Sequence, residues 1–248
     1  MPPLNMHLLA AERLFPALGW GEERLAPFLA GNLVVDANSF TELPRPRTHL
    51  VERRDEAQGR GYRRFLIERD ALLRRPWAAL APEEQALAAG YLAHLATDAA
   101  WKARMAGLYR QMGIASWREL PIPVSVFLTE MSVLCADHFR DFGRVVSAME
   151  GYPRLPDCFV HVPYAPLQHT WEIGRQVLAR PYRRESFYEM LRLKGVGEAA
   201  LEAERRAHER YGDEARAFIL QVGPVEWWLA PMVELAQAAL RELLAEGR

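Results

Sequence analysis

The sequence predicts an all-α fold, a helical bundle, on three observations. Apolar residues recur at helical spacing over long segments, above all in the Ala- and Leu-rich run from Glu83 to Met112. No stretch alternates polar and apolar residues as a half-buried strand would. Pro82 and Pro123 stand where long runs open, as first helical residues do, because proline's missing N–H is no loss there.

Taken in order, Asn5 is placed to cap a first helix that carries His7, Leu8, Leu9, Leu14 and Phe15, closed by Pro16 and Gly19. A second short helix is expected from Glu22 to Leu29, after which Gly31 to Asn38 turns into a loop with Pro44 and Pro46. At Arg47-Thr48-His49 the next helix begins. It runs through the charged stretch from Glu52 to Asp70, bent or broken at Gly59 and Gly61. The central helix follows Pro82, Ser116 caps a short turn, and a mostly apolar helix runs from Pro123 to about Met149. Gly151 to Pro166 is a proline-rich connection, and helices at roughly 166–179, 184–194, 198–222 and 225–246 complete the chain. This reads as one all-helical domain, 1–248, with the candidate site in 1–150 and C-terminal helices over 163–248.

A hydrophobic fraction of 50% with 25% charged residues suits a folded core, and a net charge of -1 supplies no field for nucleic acid. No nucleic-acid partner is expected. Cys135 and Cys158 are too few for a disulfide framework or a thiolate metal site, so any metal must be held by nitrogen and oxygen. The N-terminal residues lack the charged and apolar regions of a secretory signal, and no apolar run reaches the length of a membrane span. A cytoplasmic location is the expectation.

The middle of the central run, Gly90-Tyr91-Leu92-Ala93-His94-Leu95-Ala96-Thr97-Asp98, carries the chemistry. His94 and Asp98 lie four residues apart on one helical face, with Cβ atoms about 6 Å apart. Their apolar neighbours turn the pair inward, where an imidazole and a carboxylate each need a partner. His7, Asp36 and His49 stand where helices begin or loops turn. Three imidazoles and two carboxylates without thiols form a ligand set suited to zinc, and also to manganese, iron or nickel.

Met6-His7-Leu8-Leu9, Phe28-Leu29-Ala30-Gly31-Asn32 running on to Asp36, Thr48-His49, and the Gly90–Asp98 segment resemble the bacterial zinc-dependent phospholipase C family, which is similar in fold to the helical single-strand-specific nucleases. The resemblance covers roughly the first 110 residues. It implies an all-helical hydrolase of phosphate esters in which Asp36, His49 and His94 bind one Zn2+, Asp98 bridges, and His7 helps hold a second. Asp98 and Asp36 would serve catalysis, with metal-bound hydroxide attacking phosphorus.

The sequence departs from the family in three places. Val35 stands where proline is usual, six residues precede His7, and no match to the family's third-ion ligands follows Asp98. His138 with Asp141, or His169 with Glu172, are the nearest candidates for extra ligands, so one or two ions are expected. Arg45 and Arg47 are placed to grip substrate phosphate. A small phosphate ester or phospholipid head group is the expected substrate. Trp227-Trp228 with Phe218 and Trp171 could line an acyl-chain groove for a lipid substrate, and the alternative to hydrolysis is a non-catalytic metal-binding or interaction module working through an aromatic or charged surface. The oligomeric state stays open.

Overall fold

The computed structural model describes residues 2–52, 54–178 and 182–245. Eleven α-helices follow one another among them: α1 (Leu4–Leu14), α2 (Leu25–Val34), α3 (Arg45–His49), α4 (Arg60–Leu72), α5 (Pro82–Met112), α6 (Val124–Ala136), α7 (Phe142–Glu150), α8 (Tyr164–Leu178), α9 (Arg184–Leu193), α10 (Glu198–Val222) and α11 (Val225–Ala245). Short 3-10 turns join several of them, and the described residues pair as strands only at one isolated bridge, Leu73 with Phe159. The expected helix ends at 179 and 246 lie outside the described residues.

Helix α5 is the post of the bundle. Every residue from Ala86 to Trp101 is buried, which is the fate of a helix that is apolar all round. Helices α2 and α11 lie along it, with α4 and α1 beside them. The crossing of α2 over α5 is set by two glycines. A Cβ on Gly31 would run into the Leu87 carbonyl oxygen, and one on Gly90 into that of Phe28. Only bare backbone permits so close an approach. Gly31 is therefore a contact point inside a helix that extends to Val34, whereas the sequence reading took it for the start of a loop.

Two further boundaries differ from expectation. His49 ends the short α3 instead of opening a helix, and the charged stretch becomes helical only at Arg60, after Gly59 with φ 70° closes a 3-10 turn. The helix expected from Pro123 to Met149 is two, α6 and α7. Asp141 caps α7 by accepting from the Arg144 N–H at 2.9 Å, and Glu12 of α1 accepts from the Arg140 and Asp141 N–H groups at 2.9 and 3.1 Å. Side chains thus take the donors that a continuous helix would have used.

A second apolar cluster joins α1, α5, α6, α10 and α11 around Trp101, Phe127 and Trp228. Within α11, Pro231 has no N–H for the Trp227 carbonyl. Arg104 of α5 donates to that oxygen at 2.5 Å and lies 3.5 Å from the centroid of the Trp227 ring. Trp171 and Trp228 are fully buried, so the expected aromatic surface is largely core. No helix among the described residues is long and apolar enough to cross a membrane.

Candidate metal centre

The five residues singled out from the sequence meet in the interior. His7 comes from α1, Asp36 from the 3-10 turn after α2, His49 from the end of α3, and His94 and Asp98 from α5. None is more than 3% exposed. One ligand atom each from His7, His94 and Asp98 lie within 4.8 Å of one another, and so do those of Asp36, His49 and His94. His94 belongs to both groups. Its ring stacks on that of His7 at 3.8 Å with 4° between the planes.

Each imidazole is held by its Nδ1. His94 Nδ1 donates to the Asn32 carbonyl at 2.6 Å, a contact the glycine crossing of α2 and α5 makes possible. The Thr97 hydroxyl donates to the His94 carbonyl at 2.8 Å, so at 2.8 Å from His7 Nδ1 it must accept. Thr48 is placed likewise: its hydroxyl lies 3.2 Å from the Arg45 carbonyl and 2.8 Å from His49 Nδ1. His94 therefore carries its proton on Nδ1 and turns an Nε2 lone pair to the centre, and the same arrangement in His7 and His49 is the one in which both threonine hydroxyls accept. Backbone and hydroxyl partners of this kind orient metal-ligating histidines generally.

What the lone pairs meet is the test of fit. The Nε2 atoms of His7, His49 and His94, with one carboxylate oxygen each from Asp36 and Asp98, are buried and lack a hydrogen-bond partner among the described residues. His49 Nε2 lies 3.5 Å from both Asp36 Oδ1 and Asp98 Oδ2, His7 Nε2 3.5 Å from Asp98 Oδ1, and His94 Nε2 3.9 Å from Asp36 Oδ1. Such gaps are long for hydrogen bonds and near the spacing of about 3.4 Å between ligand atoms around a tetrahedral ion at about 2.1 Å. Five buried acceptors facing one another need a cation, and the nitrogen and oxygen donor set fits a divalent transition metal.

The electrostatics agree. Burial, with His7 alongside, drives the His94 pKa down to about 3, which keeps the ring a neutral ligand. Burial opposes the charges of Asp36 and Asp98, and positive charge or N–H donation from the surrounding imidazoles holds both carboxyls below their usual range, a role that a bound cation would take over. Arg45 supplies the positive charge beside the cluster. Its Nη2 donates to Asp98 Oδ2 at 2.7 Å, and Nη1 stands 3.7 Å from Asp36 Oδ1.

Arg45 is itself anchored by Glu56, which accepts from its Nε at 2.6 Å and its Nη2 at 3.1 Å. Glu56 is buried and also pairs with Lys102 of α5. Sequence reasoning missed Glu56 because its charged neighbours gave it the look of a solvated face. Thr48 and Thr97 were missed too, although each directly precedes a ligand candidate in the chain, and that adjacency was a usable signal.

Three other expectations are corrected. Arg47 is exposed and donates to the His161 carbonyl at 2.8 Å instead of facing the cluster. His138 and Asp141 belong to neither ligand group. His138 Nδ1 is 2.7 Å from Glu226 on α11, and Asp141 is committed to the α7 cap. His169 is exposed, and Glu172 accepts from Gln168.

Fold and site together define an all-helical protein with a buried His/Asp cluster able to hold metal. No family model, curated protein or solved structure matches the chain.

Proposed function

We propose that this protein is a metal-dependent phosphate-ester hydrolase of the zinc-dependent phospholipase C type. The observation that carries the reading is the convergence of five unpaired buried acceptors, in the family's order along the chain, beside an anchored arginine. His7, Asp36, His49, His94 and Asp98 would hold one or two Zn2+ ions. A divalent ion supplies the chemistry by lowering the pKa of its water and by stabilising charge on phosphoryl oxygens.

The chain's own residues do the rest. Thr48, Thr97 and the Asn32 carbonyl keep the rings in the ligating tautomer. Arg45, with Glu56 fixing its fork, binds a phosphoryl oxygen once the carboxylates turn to the metal. The walls exclude bulk water, which strengthens each of these interactions.

Elemental analysis of protein purified without chelator is expected to give one or two equivalents of a transition metal, lost in a His94→Ala, Asp98→Ala double variant. Asp98→Asn is expected to abolish hydrolysis of bis(p-nitrophenyl) phosphate while the helical circular dichroism stays intact. Metal-free protein that takes up neither zinc nor manganese would sink the reading. The near-complete burial of the cluster favours a second reading, a metal that only braces the bundle; a metal-loaded protein inert toward every ester offered would select it.

A further inference from the structure

A cavity of about 180 Å³ opens beside the cluster, and Asp36 lines it. Its walls are apolar: Leu4 of α1, Phe40 from the loop after Asp36, Leu128 of α6, and Phe187 and Met190 of α9. Lys194 lines it too, its ammonium 4.5 Å from the centroid of the Phe40 ring and within electrostatic reach of Asp36. The lining thus combines a residue of the cluster, hydrocarbon and one cation.

Resting on the reading above, we propose that the site takes a phosphate ester carrying one compact apolar group, an aryl or short alkyl group of about the size of phenyl, and that this cavity receives it. Size supports the choice. An apolar cavity of about 150 Å³ accommodates benzene, whereas two long acyl chains need several times that space. Charge supports it as well. Arg45, 3.7 Å from Asp36, and Lys194, which interacts electrostatically with the same carboxylate, place two cations near Asp36 for an anionic phosphoryl group to meet. Half-buried Phe40, Leu128, Phe187 and Met190 leave apolar surface that such a group covers.

The test is calorimetric binding of phenylphosphonate and methylphosphonate to the zinc-loaded full chain. Phenylphosphonate is expected to bind roughly tenfold or more tightly, the scale of burying one phenyl ring. Leu128→Trp and Met190→Trp, which fill the cavity from two different helices, are each expected to remove that preference, bringing the ratio of the two affinities to about one. Equal affinities in the unmodified protein overturn the pocket while leaving the ester site standing, because both phosphonates still bind. A preference that survives both tryptophan variants overturns it too. Binding of neither phosphonate to protein that carries its metal removes the phosphate-ester reading, and this proposal with it.

Discussion

At the scale of single residues, the ligating histidines depend on neighbours that touch no metal. Thr97 gives its proton to the His94 carbonyl and so has only lone pairs to offer His7 Nδ1. Thr97→Val keeps the shape and removes the acceptor, leaving a buried ring N–H unpaired and His7 free to take the other tautomer. Zinc affinity, measured by competition with a chromophoric chelator, is expected to fall about 10–100-fold, while Thr97→Ser retains it. Equal affinity in the valine variant would mean that packing alone orients His7. Thr48 stands in the same relation to His49, so the two threonines form one device used twice.

At the scale of elements, the centre exists because α2 and α5 cross with backbone against backbone. Gly90→Ala drives a methyl into the Phe28 carbonyl and is expected to cost about 1–3 kcal/mol or more in urea unfolding. Gly107 lies in the same helix, and a Cβ there would find its nearest atom, Arg110 Nη2, at 3.9 Å. Gly107→Ala is expected to stabilise by about 0.5–1 kcal/mol, as removal of a helical glycine does. Similar effects from both would refute the close crossing. The contrast also marks how far the sequence could be read. Helix α5 was legible because sixteen consecutive buried residues leave a long apolar signature. Gly31 was not, because a glycine that lets two helices touch looks in one dimension like one that turns the chain. The break between α6 and α7 was equally hidden, since Glu12, which takes its donors, lies 128 residues from Arg140. For the site, residue types and order sufficed to choose the five ligand candidates. Their supports and the placement of Arg47 depended on loops that only the fold positions.

For the molecule as a whole, five buried ligand candidates would make a bound metal part of the folding equilibrium. A ligand present at about 100 times its Kd adds about 2.7 kcal/mol to stability. For a chain of 248 residues, chelation is then expected to lower Tm by roughly 5–10 °C, read by differential scanning calorimetry with and without chelator. An unchanged Tm in protein shown to lose its metal would mean that the acceptors satisfy themselves by rearrangement.

Glu56 carries this one step further, into the net charge of the interior. Asp36, Asp98 and Glu56 bring three negative charges, Arg45 and Lys102 two positive, and neutral rings none, so the enclosed cluster is left with one negative charge. One divalent ion turns that into one positive charge, which a phosphodiester monoanion cancels. Two ions leave three, which suit the dianion of a monoester together with a hydroxide. On the proposed function, the number of ions found by elemental analysis would then decide which esters the interior holds near neutrality, and a two-ion protein that prefers diesters would break that correspondence. Glu56 reaches the ligand candidates through Arg45, and its single charge decides the balance.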